Sequence, residues 1–228
     1  MTQPNTDDPE CLAPLAGADP AVGAVRREAF AALIAGAPVD ADELARAADL
    51  PSGNVEHAIV QLHAGGALEL DPEGRVTGAH GLTHRHTQHA IVTPQRTWHT
   101  WCALDAVGIP AALGLDAEVH TRCPTCAAVI VLVTRSGTAI APHDTEPMLW
   151  LPGTPCAHVM NDFCAAANLF CNREHLEVWR ARAANPPGAA VTLTQAENQG
   201  RRVWADVSML DRVIDPSGPE ADHSDPSP

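Results

Sequence analysis

The chain has 228 residues, 45% of them hydrophobic, enough for one ordinary core or two small ones. Its formal net charge of −14 argues against DNA, RNA or an anionic membrane as a partner, because phosphate binding needs clustered Lys and Arg. Among the 14 basic residues there is no Lys, and the chain has no Tyr, a coding bias of GC-rich bacterial genomes that says nothing about function.

Residues 1–20 hold Pro, Asp and Gly without an apolar pattern and read as a disordered tail. Apolar residues then recur at helical spacing from Ala24 to Gly36. A second short helix, Asp40 to Leu50, opens with Asp40 as N-cap and Glu43 completing a capping box. Residues 51–54, Pro-Ser-Gly-Asn, read as a turn. Val55 to Ala64 forms a third helix with Val55, Ile59 and Leu62 on one face. Leu68 to Thr77 reads as a hairpin around Asp71-Pro72-Glu73-Gly74. Three helices followed by a hairpin outline a winged-helix-like module over residues 21–83. Its candidate recognition helix has no Arg or Lys and its hairpin offers only Arg75, so packing is a better role for it than DNA binding.

Residues 84–213 read as a second, α+β domain with a mixed, largely antiparallel sheet. Glu118 to Arg122, Ala127 to Thr134 and Ala189 to Thr194 are strand candidates, the second of them well buried. Glu174 to Ala184 and Gln195 to Leu210 have helical periodicity, with Trp179 and Trp204 as core anchors. Asn161 to Phe170 fits either helix or strand. Met148, Leu149 and Trp150 read as core or pocket wall. Residues 214–228 read as a second disordered tail.

No apolar run is long enough to span a membrane, and Met1 to Pro9 lacks the charged and apolar regions of a signal peptide. The expectation is a cytoplasmic protein whose thiols stay reduced. Seven Cys, an odd number, also argue against a fully paired disulfide framework.

Trp101-Cys102-Ala103-Leu104-Asp105 and Asp162-Phe163-Cys164 carry the chemistry. Two thiolates suit a soft metal ion. In a helix over 101–113, Cys102 and Asp105 share a face. Apolar neighbours (Trp101, Leu104, Val107, Ile109) should raise the Asp105 pKa by desolvation, so that it holds a proton near neutral pH and can deliver it. Spacing alone does not pair Cys102 with Cys164, and buried Cys are also common as small apolar residues.

Residues 81–114 resemble organomercurial (alkylmercury) lyases. The resemblance rests on Gly81-Leu82-Thr83, Thr87-Gln88-His89, Trp101 to Asp105, Pro110, Cys123, Asn161 to Cys164 and the Trp179 helix, and extends over roughly residues 24–210. It implies that Cys102 and Cys164 are the catalytic thiols and mercury ligands, and that Asp105 is the proton-handling carboxylate beside the metal. The implied reaction is protonolysis of a carbon–mercury bond to hydrocarbon and Hg(II), without an organic cofactor. The implied partners are the organomercurial substrate and, as mercury acceptor, low-molecular-weight thiols or a mercuric reductase. Rival readings are a non-enzymatic heavy-metal binder using the same thiols and a winged-helix metal-responsive regulator. Asp105 favours the enzyme, since sequestration needs no proton donor.

The chain departs from the family in three places. Ala165 follows Cys164 where several members have a second Cys. His84 and His86 stand at usually apolar or Pro positions; together with His89 and His99 they read as surface or hydrogen-bonded residues. Cys123-Pro124-Thr125-Cys126 forms a CxxC that many members lack. A zinc site would need a second pair, for which Cys156 with His158, or Cys171, are candidates. The expectation is a reduced structural pair.

Overall fold

The computed structural model describes residues 19–141, 145–153, 155–182 and 185–207. The expected tails lie outside the described residues, apart from Asp19 and Pro20. These two open the first helix: Asp19 accepts the Ala21 N–H at 2.8 Å, and Pro20 takes the first turn, where its missing N–H costs nothing.

The N-terminal helices are α1 (Pro20–Ala35), α2 (Ala41–Ala48) and α3 (Ser52–Ala64). The capping box at Asp40 and Glu43 forms in full, with both reciprocal bonds made. The turn before α3 is shorter than the sequence suggests, because Ser52, Gly53 and Asn54 already belong to the helix and Pro51 is its N-cap. Val25, Ala29, Phe30 and Leu33 of α1 pack with Leu44 of α2 and Val55, Ala58 and Leu62 of α3.

The hairpin β1 (Leu68–Leu70) and β2 (Val76–Ala79) follows, and Val39 bridges to Val76. Strand bonding then continues through β3 (Leu82–Thr83), β4 (Ala90–Val92), β5 (Thr97–Thr100), β6 (Ala117–Arg122), β7 (Val129–Arg135) and β8 (Thr138–Ile140). Together they form one eight-stranded antiparallel sheet in the order β1-β2-β3-β5-β4-β6-β7-β8. A three-stranded antiparallel sheet, β10-β9-β11, comprises β9 (Met148–Pro152), β10 (Asn168–Phe170) and β11 (Gly188–Thr192). The fold is therefore α+β with antiparallel sheets. The β7 strand is not buried throughout as expected. Ile130, Leu132 and Thr134 face inward while Val129 is 57% exposed, the alternation of a sheet covered on one face.

The core centres on α4 (Ala103–Leu113), which is apolar on all sides except at Asp105 and is buried along nearly its whole length. It crosses α6 (Leu193–Val203) with almost no gap: a Cβ on Gly200 would fall 2.2 Å from the Gly108 Cα. The α6 helix ends at Val203, short of the expected span; residues 208–210 lie outside the described set. Trp204 caps it in the core and donates its indole N–H to the His80 carbonyl at 2.8 Å. The remaining helix, α5 (Arg173–Arg180), buries Leu176 and Trp179, and Trp179 packs on Trp150 and Phe170.

Candidate active site

Cys102 is the N-cap of α4, with φ −148° and ψ 176°, and Asp105 is the third residue of that helix. The Asp105 carboxylate accepts the Cys102 backbone N–H at 2.9 Å, while the Asp105 N–H faces the Cys102 sulfur. This is a capping box written with Cys and Asp in place of the usual Ser or Thr and Glu. The capping geometry fixes thiol and carboxyl side by side at the N-terminus of a buried helix.

Cys164 arrives from another part of the chain. It ends a π-helical turn, Val159–Cys164, an irregular element that often marks functional positions. The turn is held at its start by Asp162, whose carboxylate accepts the N–H groups of Ala157 and His158, each at 2.8 Å. The Val159 N–H bonds the Gly65 carbonyl at 2.9 Å, so the end of α3 supports the turn. Beyond Cys164, the Ala167 carbonyl accepts the Ala103 N–H at 3.1 Å. That bond joins the start of α4 to the segment carrying the second thiol and brings the two Cys together.

The sulfurs of Cys102 and Cys164 and a carboxylate oxygen of Asp105 all lie within 4.8 Å of one another. All three residues are buried, with relative exposures of 0%, 4% and 7%. Burial pushes the Asp105 carboxyl up to about 7, against opposing hydrogen bonds from the Cys102 thiol and the N–H groups of Cys102 and Trp101. Burial also raises Cys102 well above the usual thiol range, helped by its hydrogen bond to Cys164 and by the Asp105 charge. For Cys164 the hydrogen bond from Cys102 lowers the pKa, but burial and the charges of Asp105 and Glu69 outweigh it, and the thiol is raised. At neutral pH both thiols thus keep their protons, and Asp105 is poised to exchange one.

Gly81, Thr100 and Glu69 also shape this site. Gly81 lies against the Asp105 carboxyl and accepts the Trp101 N–H at 2.9 Å. Thr100 donates its hydroxyl to the Cys102 carbonyl at 3.0 Å. Glu69 is held by Thr83 at 2.5 Å and by Arg85 at 2.7 Å. Gly81 and Thr83 were visible as part of a motif, but no sequence signal marked what they touch. Of the expected alternatives, surface or hydrogen-bonded, His89 takes the second: it is buried, its Nδ1 lies 2.6 Å from the Thr121 hydroxyl, and desolvation lowers its pKa to about 4. The CxxC is joined by Cys171 and His175, whereas His158 serves as N-cap of the π-helical turn.

Residues 82–205 match the family model described as MerB, alkylmercury lyase. The alkylmercury lyase of Pseudomonas putida is 32% identical over 168 residues, covering 73% of this chain and 74% of that one. That of Streptomyces lividans is 28% identical over 171 residues, covering 74% and 76%. A solved structure described as the mercury-bound form of MerB2 superposes with a TM-score of 0.78 at 20% identity, covering 90% of this chain and 100% of that one, a likeness of fold.

Proposed function

The chain belongs to the alkylmercury lyase family, and from that membership we propose how Cys102, Cys164 and Asp105 divide the cleavage of a carbon–mercury bond. Organomercurial enters as R–Hg⁺ carried on an exchangeable thiol. Cys164, the less buried of the two thiols, exchanges first and releases its proton as mercury binds. Asp105, whose carboxylate form is accessible near neutral pH, takes the proton of Cys102, and the second thiolate joins the metal. Thiolate donation places electron density on mercury and makes its carbon more basic.

The protonated Asp105 then delivers its proton to that carbon. Hydrocarbon leaves, and Hg(II) remains on two thiolates. The balance is R–Hg⁺ plus two thiols giving R–H, a mercury bis-thiolate and one proton. Once Asp105 has taken the Cys102 proton, burial keeps the carboxyl in its acid form until the substrate carbon accepts it. Exchange with low-molecular-weight thiols or a mercuric reductase clears the product in a reducing compartment, for which the cytoplasm is the natural assignment.

The single observation carrying this reading is the meeting of two buried thiols and one buried carboxyl within 4.8 Å. A metal store needs the thiols but has no use for a carboxyl held near 7. The test is incubation of the purified chain with methylmercury or phenylmercury and excess thiol. Methane or benzene should form catalytically; tight binding with no hydrocarbon would make the protein a mercury binder.

A further inference from the structure

We propose that Cys123, Cys126, Cys171 and His175 form a structural zinc site, separate from the Cys102, Asp105 and Cys164 centre. One sulfur or nitrogen from each of the four residues lies within 4.8 Å of the others. Cys126 Sγ is 3.6 Å from Cys171 Sγ, and Cys123 Sγ is 3.7 Å from His175 Nδ1. Around a tetrahedral zinc ion, with Zn–S about 2.3 Å and Zn–N about 2.0–2.1 Å, sulfur–sulfur edges are about 3.8 Å and sulfur–nitrogen edges about 3.6 Å. Two of the six edges thus stand at zinc's own spacing and the rest lie within 4.8 Å, and the four residues include three free thiols that have not closed a disulfide.

The supports are those of a built site. The Cys123-to-Cys126 turn is closed by the Cys123 carbonyl accepting the Ala127 N–H at 2.8 Å, with Ala127 in the left-handed region at φ 60°. The Thr125 hydroxyl donates to the His175 carbonyl at 2.7 Å, docking the turn on α5. Asn172, N-cap of α5, accepts the His175 N–H at 2.9 Å and sets where the imidazole stands. Cys171 stands just before the extended N-cap Asn172 and His175 lies in the first turn of α5, so the entry to the helix supplies both donors.

Backbone N–H groups of Cys171, Cys126 and Thr125 are directed at the Cys123 sulfur, the usual support for a metal-bound thiolate. Three sulfurs and one imidazole are the ligand set of structural zinc, which binds four such donors tetrahedrally with no position left open. Mercury, which favours two ligands in a line, would use only half of it. The site ties the β6–β7 hairpin of the large sheet to the β10–α5 connection just downstream of Cys164, and so braces the segment that carries the second active-site thiol.

The test uses the full chain, purified without chelators and analysed for metals. One zinc per chain is expected, retained on dialysis, and kept by a Cys102→Ala/Cys164→Ala double variant. Cys126→Ser and His175→Ala should each lower zinc content by about tenfold or more. If those variants fail to fold, Co²⁺ added to metal-stripped wild-type protein gives an independent reading. An intense tetrahedral d–d spectrum with thiolate-to-cobalt charge transfer, unchanged in the double variant, is expected. Zinc near zero together with no tetrahedral cobalt spectrum would overturn the proposal. So would zinc lost from the double variant but kept by Cys126→Ser and His175→Ala, or Hg²⁺ binding to the double variant that neither zinc nor cobalt reproduces.

Discussion

Gly81 and Asp105 are in such close contact that a Cβ at position 81 would lie 2.9 Å from the carboxyl carbon. Gly81 also has φ +97°, a conformation that side chains rarely adopt. The backbone at this position is therefore one wall against the Asp105 carboxyl, whose pKa burial raises to about 7.

Replacing Gly81 should disturb chemistry more than metal capture. Gly81→Ala must displace Asp105 and strain the backbone, at a stability cost of about 1–3 kcal/mol. Hydrocarbon release in a single turnover should slow, while binding of the organomercurial by the two thiols persists. An Ala variant releasing hydrocarbon at the wild-type rate would show that the contact has no bearing on proton delivery.

The raised Asp105 pKa has a signature in stability. The unfolded carboxyl titrates near 3.8 and the folded one near 7, so between those values the native state holds more protons. Stability from this group is fully present below the unfolded pKa and is lost as pH rises towards 7. Asp105→Asn removes the titration. Its thermal midpoint relative to wild type should climb between pH 4 and about 7 and then level off. A difference independent of pH would mean that the carboxyl is not desolvated as described.

Much of this architecture was legible from local physics. The Asp40–Glu43 capping box, the apolar face of α3 and the Asp71–Gly74 turn each rest on neighbours in sequence, and each formed. The sharing of a face by Cys102 and Asp105 was conditional on a helix over 101–113; α4 forms over Ala103–Leu113, with Cys102 as its N-cap. The short strands β3, β4 and β5 were not read, because two to four residues are too few to show a period and the stretch is rich in His, Thr and Gln. The Asn161 to Phe170 ambiguity had a physical cause, since a π-helical turn runs almost directly into β10. The meeting of Cys102 with Cys164, like that of the CxxC with His175, depends on which strands pair. No spacing rule encodes that.

The two thiols should differ from the other cysteines. Cys102→Ala or Cys164→Ala should abolish detectable turnover and weaken mercury binding, because a single thiolate cannot chelate. Cys126→Ala should lower turnover less than either, as it acts on the bracing of the Cys164 segment. Steady-state assays with phenylmercury would decide; turnover lost in Cys126→Ala but kept in Cys164→Ala would mean that the catalytic pair is another one.

The α4–α6 crossing positions the whole centre, and it has no room for a methyl group. At Gly200 a Cβ would meet the Gly108 Cα at 2.2 Å, and at Gly108 it would meet the Trp204 ring at 2.6 Å. Gly200→Ala should destabilise the fold by about 1–3 kcal/mol or more through overpacking, measured by denaturant unfolding. An unchanged midpoint would contradict the close crossing.

The central claim is that Asp105 supplies the proton that cleaves the carbon–mercury bond. The most direct measurement is hydrocarbon release in a single turnover by Asp105→Asn, with one equivalent of methylmercury already bound. Asn keeps the size and can still accept the Cys102 N–H, so the thiols remain in place. The variant should bind the organomercurial yet release methane at least ~100-fold more slowly than wild type, the usual contribution of a positioned acid. Release at the wild-type rate would contradict the account, because the proton would then come from another group.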